Sequence, residues 1–292
     1  MAKKKSDQGD QATADTSEPR QPEGKPFIDF LEREVLGEKM DQIKHKLIVL
    51  SGKGGVGKST VAANLAISLA LADQEVGILD ADIHGPSIPK LLHLEGQPLR
   101  VRGETIYPVE FMPNLKAMSI GFFLREADEA VIWRGPLKMG LLKQFLKDVA
   151  WGTLDYLVVD SPPGTGDEPL TVIQLLGKAQ AAVIVTTPQE MALIDVKKCV
   201  NFCRKLNLPV LGIIENMSGF VCPHCGKTTD IFKSGGGERL ARDLNLPFLG
   251  KIPIDPDLVL AGDLGEPYPQ KYMGTETAQI FSGIVRRILD QK

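Results

Sequence analysis

Cysteine is scarce in this 292-residue sequence, and none precedes residue 199; the four are Cys199, Cys203, Cys222 and Cys225. Long apolar runs are missing as well. No stretch approaches the ~20 residues of a membrane span, and the run Lys3-Lys4-Lys5 leads into no apolar segment of a secretory signal. The expected location is therefore the cytoplasm. In that reducing compartment an even number of thiols does not imply disulfides, which leaves metal binding or burial in the core. Charge of one sign is not in excess either. A net charge of -3 provides no broad basic field, so neither nucleic acid nor membrane is an expected partner.

What is present is the make-up of a soluble globular chain, 43% hydrophobic and 24% charged, large enough for one sizeable α/β core. Residues 1–26 are rich in Lys, Asp, Gln, Glu, Ser and Pro, and the first large apolar residue after Met1 is Phe27. Such a segment buries too little surface to offset its ordering entropy, so it reads as a disordered tail ahead of a folded domain over 27–292. From Leu47 onward, short apolar runs alternate with amphipathic stretches. The runs are 47–50, 76–79, 156–159, 182–185 and 210–214, and helical patterns lie near 58–72, 136–149, 167–177 and 189–206. Continuous rather than alternating apolarity marks strands covered on both faces. The expected fold class is α/β: a mostly parallel twisted sheet with helices on both faces and ligands at the carboxyl ends of the strands. Residues 95–130, with a weak strand signal over 115–120, read as an elaboration of the same domain.

Gly52-Lys53-Gly54-Gly55-Val56-Gly57-Lys58-Ser59 fits G-x-x-x-x-G-K-[ST], directly after the first strand and at the opening of an apolar-periodic helix. Glycines in that setting let backbone N–H groups turn inward around phosphates, and the helix N-terminus adds favourable dipole charge. Lys58 is expected at the β and γ phosphates of ATP, Ser59 on Mg²⁺ and Thr60 near the α phosphate. Lys53 has two readings: a solvated lysine, or an added positive charge delivered to the phosphates of a facing subunit. The segment from Lys53 to Thr60 resembles the deviant Walker A motif of the class that includes the nitrogenase iron protein and the cell-division and chromosome-partitioning ATPases. That resemblance implies dimers sandwiching two nucleotides, with Lys53 contacting the partner's nucleotide.

Asp80 and Asp82 leave the second strand two positions apart, where a carboxylate can orient an attacking water or hold a magnesium shell. By resemblance this is switch I, with Asp82 the position tied to hydrolysis. Val158-Val159-Asp160 is a strand ending in the carboxylate that Walker B requires for Mg²⁺. The following segment, 161–168, resembles switch II, and its glycines let it move when the γ-phosphate leaves. His84 reads as a hydrogen-bonding or interface residue rather than a catalytic one. Asn216, just past a strand, carries the paired donor and acceptor that can read an adenine edge; the alternative is a turn or cap asparagine.

Cys222-Pro223-His224-Cys225 lies in a loop over 219–226. Two thiolates fall short of the roughly four ligands that zinc or a cubane cluster takes, and a two-fold dimer presenting two such pairs completes the set. Thiolates serve zinc and iron alike. Cys199 and Cys203, four apart on a predicted helix, read as core thiols. Glu215-Asn216-Met217-Ser218, the C-P-H-C loop, Ile231-Phe232, Gly235-Gly236-Gly237 and Leu249-Gly250-Lys251-Ile252-Pro253 together resemble the Mrp/ApbC family of iron–sulfur carrier ATPases over about residues 40–290. The resemblance implies a homodimeric ATPase with a [4Fe–4S] cluster shared between the Cys222/Cys225 pairs, and iron–sulfur scaffold and recipient apo-proteins as partners. The competing reading is a positioning ATPase related to the Min and Par proteins, with a structural zinc in the loop.

Overall fold

The computed structural model describes residues 36–123, 135–178, 180–222, 224–225 and 227–291, and of residues 135–139 and 141 the backbone alone. The tail expected over 1–26, the first residues of the expected domain, and Pro223 and Gly226 of the cysteine loop lie outside the described residues.

One sheet organises the chain. Its strands are β1 (Ile43–Leu50), β2 (Val76–Asp80), β5 (Val109–Met112), β6 (Leu115–Ser119), β7 (Leu154–Asp160), β8 (Gln180–Thr186), β9 (Val210–Glu215) and β12 (Phe248–Lys251), in the order β12-β9-β8-β1-β7-β2-β6-β5. Every neighbouring pair is parallel except β5 with β6. Along β1, Leu47 and Val49 face one apolar cluster while Ile48 and Leu50 face the other, so the strand is buried on both sides. Helices α1 (Lys58–Leu71), α8 (Tyr268–Lys271) and α9 (Glu276–Leu289) cover the first side. The other side carries α3 (Gly135–Asp148), α4 (Asp167–Leu176), α5 (Glu190–Lys205) and α6 (Gly236–Asp243).

Gly77 inside β2 has a packing reason. A Cβ there would lie 2.7 Å from the ring of Trp151, so only glycine lets this indole close on the sheet. The elaboration after residue 95 contains a hairpin, β3 (Arg100–Arg102) with β4 (Thr105–Tyr107), followed by the edge pair β5 and β6. β1 begins at Ile43, ahead of the apolar run, because Lys46 can be buried: its Nζ donates to the Lys178 carbonyl at 2.8 Å.

Parallel pairing brings the carboxyl ends of the strands to one edge. The register sets Val49 beside Asp160 and Asp160 beside Asp80, so the phosphate loop and both strand-end carboxylates meet there.

Candidate functional site

The turn after β1 is held from three directions. Gly164 N donates to the Ser51 carbonyl at 2.9 Å, tying the glycine-rich loop after β7 to the start of the phosphate loop. A Cβ on Gly52 would lie 2.5 Å from the Asp195 backbone, so α5 presses directly on that glycine. Gly57 caps α1 in the left-handed region at φ 77°, and a Cβ there would fall 2.3 Å from Asn216 Nδ2. The Asn216 amide instead donates to the Val56 carbonyl at 2.9 Å. A cavity of about 390 Å³ opens over the loop, and its lining includes Lys53, Lys58, Ser59, Thr60, Asp82 and Lys90.

Beneath it, Lys58 Nζ donates to Asp160 Oδ1, with both side chains buried. Burial pushes the Asp160 carboxyl above its usual range and the charge of Asp82 adds to that, while Lys58 and the Ser59 hydroxyl pull it down. The other carboxylate oxygen, Asp160 Oδ2, is buried with no hydrogen-bond partner among the described residues, as are Ser51 Oγ and Ser161 Oγ. A buried, unpartnered carboxylate oxygen beside a serine hydroxyl is a set of hard oxygen donors, which fits Mg²⁺. Asp80 is occupied differently. Its Oδ2 accepts from Ser87 N at 2.9 Å, Ile88 N at 3.1 Å and Ser119 Oγ at 3.1 Å, and its Oδ1 accepts from Asp82 N at 3.2 Å. Burial, with the neighbouring Asp160 charge, raises its pKa to about 7. Asp80 thus shapes the loop, and Asp82 is the carboxylate at the cavity. Asp82 Oδ1 also accepts from His84 N and Gly85 N, both at 3.3 Å. His84 Nε2 meets Glu168 Oε1 at 3.2 Å, linking this loop to the start of α4.

A second, more apolar cavity of about 330 Å³ runs on from the first, sharing Gly57, Thr60, Leu91, Gly262 and Asp263. Its own walls include Asn216, Met217, Phe232, Ile254 and Leu258.

The cysteine loop is the tip of a small antiparallel hairpin, β10 (Phe220–Val221) with β11 (Thr228–Thr229), in which Cys222 N donates to the Lys227 carbonyl at 3.0 Å. Cys222 is half-buried and Cys225 exposed. The His224 backbone N–H, followed by that of Cys225, holds the Cys222 thiol below its ordinary pKa, favouring the thiolate that binds metals. Among the described residues no group of three or more His, Cys, Asp or Glu side chains is placed to hold a metal ion. Cys199 and Cys203 are both fully buried on α5, and the Cys203 contact together with burial pushes the Cys199 thiol up.

Residues 42–289 match the family model of the ParA group described as NUBPL iron-transfer P-loop NTPases. The chain belongs to this family. An iron–sulfur cluster carrier protein of Methanocaldococcus jannaschii is 50% identical over 254 residues, covering 87% of each chain. A nucleotide-binding protein from Archaeoglobus fulgidus, solved with ADP, is 46% identical at a TM-score of 0.72, covering 80% of this chain and 92% of that one. The cell-division ATPase MinD of Pyrococcus furiosus shares the fold at 21% identity and TM-score 0.62, over 85% of this chain and 100% of its own.

In this family member Lys53, Gly54, Gly55, Gly57, Lys58, Ser59, Thr60 and Asp82 line one cavity, Asp160 meets Lys58 beneath it, and Asn216 lines the adjoining cavity while donating to Val56 of the loop. Cys222 and Cys225 stand apart on the hairpin. Sequence reasoning passed over Phe232, Ile254 and Leu258 as cavity walls; Phe232 and Ile254 are apolar residues in otherwise polar segments, and Leu258 lies on a short helix over Pro256–Leu264. Among the described residues no helix is long and apolar enough to cross a membrane.

Proposed function

We propose that this protein is a cytoplasmic ATP-hydrolysing carrier of iron–sulfur clusters that works as a homodimer. Each protomer contributes Cys222 and Cys225 to one shared [4Fe–4S] cluster, which passes from scaffold to recipient apo-proteins. The observation that carries this reading is the cysteine pair, exposed at Cys225 and half-buried but thiolate-favouring at Cys222, on a hairpin that follows β9 beside the nucleotide cavity. Two thiolates per chain fit a cluster completed by symmetry, since a cubane takes about four protein ligands. The 50% identity to a cluster carrier and the family match support the same conclusion.

In the ATPase half of the cycle, water attacks the γ-phosphorus and the bond to the ADP oxygen breaks. Backbone N–H groups of the glycine loop and Lys58 bind the phosphates, and Asp82, at the cavity, orients the water. Lys53 of each protomer reaches the other's nucleotide. Asn216 reads the adenine edge through the part of its amide not given to Val56. Ser59 and Asp160 would hold Mg²⁺, which would supply positive charge to the phosphate oxygens. The positioning-ATPase alternative is disfavoured by α9, whose Phe281, Ile284 and Ile288 are buried in the core rather than offered to a membrane.

Anaerobic reconstitution with iron and sulfide tests the reading, with iron content, visible absorption and oligomeric mass measured for wild type and Cys222→Ala/Cys225→Ala. About four irons per dimer in wild type alone is the expected result. A colourless protein holding zinc at the same cysteines, or iron unaffected by the double substitution, overturns it.

A further inference from the structure

Phe232 is 39% exposed, yet it lines the apolar cavity that continues from the phosphate cavity past Asn216. It is the only aromatic side chain lining that cavity among the described residues. A flat apolar ring left partly in water at the mouth of a base-sized space gains burial and stacking contact if a planar ligand enters.

The chain on either side of Phe232 is fixed. Upstream, Thr229 pairs with Phe220 across the cysteine hairpin. Downstream, Ser234 Oγ meets Ser218 Oγ at 3.1 Å and Gly235 N donates to Glu215 Oε1 at 2.8 Å. Between these anchors Lys233 takes the left-handed region at φ 73° and its N–H donates to the Asp230 carbonyl, turning the chain back. Phe232 therefore sits in the turn that directly follows the returning arm of the hairpin that carries Cys222 and Cys225. The outgoing arm meets the same cavity. Asn216 and Met217 line it, Ile254 N donates to the Gly219 carbonyl at 2.8 Å, and Phe220 bridges to Ile254, itself a wall of the cavity.

We propose that Phe232 stacks on the base of the bound nucleotide, so that base occupancy, separately from the phosphates, fixes the cysteine hairpin. This rests on the reading of the two cavities as an adenine-nucleotide site. Stacking is tolerant of base identity, so Phe232 supplies affinity and hairpin order while Asn216 supplies discrimination. A ligand with a base but no γ-phosphate would then act on the hairpin, and a ligand with three phosphates and no base would not.

The test uses the full-length protein with Mg²⁺ and either ATP, ADP or inorganic tripolyphosphate. Alkylation of Cys222 and Cys225 is followed by mass spectrometry, with the buried Cys199 and Cys203 as internal references, in wild type, Phe232→Ala and Phe232→Tyr. In wild type, ATP and ADP are expected to slow alkylation about fivefold or more, and tripolyphosphate to leave it unchanged. Phe232→Ala is expected to bind ADP about tenfold more weakly and to lose the protection even at saturation, while Phe232→Tyr keeps both. Protection by tripolyphosphate equal to that by ADP, or full protection in saturated Phe232→Ala, overturns the proposal. Absence of ADP binding to wild type in a parallel titration sinks it together with the nucleotide-site reading. The alkylation readout needs no iron, so a failure of the cluster reading shows separately, in iron content.

Discussion

The ammonium of Lys58 donates to Asp160 Oδ1 across the gap between the phosphate loop and the end of β7, with both side chains buried. The lysine expected at the phosphates thus meets the carboxylate expected at magnesium, and under the proposed function nucleotide and Mg²⁺ would compete for the two side chains.

Lys58→Ala is accordingly expected to abolish nucleotide binding and also to lower stability. Breaking a buried pair costs about 3–5 kcal/mol when the remaining charge stays ionised, and proton uptake by Asp160 will reduce that. A titration with labelled ATP and a thermal melt at neutral pH check the two halves. Wild-type affinity would contradict the phosphate-loop reading.

Asp80 predicts a pH dependence. Its folded pKa of about 7 lies above the unfolded carboxylate value of 3.8. The native state therefore binds more protons than the unfolded chain between those limits, and stability falls as pH rises from about 4 to about 7. Asp80→Asn is expected to flatten that part of the stability curve, and its deficit relative to wild type should shrink as pH rises. Urea denaturation at several pH values, without nucleotide or magnesium, measures it; parallel curves for the two proteins would rule it out.

Two glycines of the same loop should behave oppositely. Gly57→Ala forces a side chain into the left-handed region and against Asn216 Nδ2, which should cost about 1–2 kcal/mol in the loop and most of the nucleotide affinity. Around Gly54 nothing lies within 4 Å of a Cβ, so Gly54→Ala should keep the fold and melt like wild type. Calorimetric binding of ADP and melting of both variants test the contrast.

The buried thiols should matter for packing alone. Cys199→Ala/Cys203→Ala is expected to retain wild-type iron after reconstitution while losing about 2 kcal/mol of stability, roughly the removal of one small core group at each position. Loss of iron with unchanged stability would reverse that assignment.

Much of the layout was legible because buried parallel strands write themselves as continuous apolar runs, as in Leu47–Leu50 and Tyr156–Val159. The hairpin of β3 and β4 was not, since Arg100, Val101 and Arg102 are all exposed and carry no burial pattern. The phosphate loop is a local motif, so its residues could be named in advance. Its pairings could not: Asp160 and Asn216 were named for magnesium and the base, but not as the partners of Lys58 across 102 positions and of Val56 across 160. Phe232 was invisible as a site residue for a related reason, because one aromatic in a loop has no periodicity and its meaning depends on which cavity the fold sets beside it.

Asn216 and Cys222 are six positions apart on one uninterrupted stretch of backbone, anchored partway where the Gly219 carbonyl accepts from Ile254 N. Even fully stretched, that segment spans at most ~20 Å. The chain therefore sets an upper length for the leash between Asn216, proposed to face the base, and the first thiol, whatever the hairpin does beyond its root. A natural or engineered insertion between them would leave both ends intact and lengthen the leash, which makes segment length itself a variable of the protein, as open to selection as any side chain.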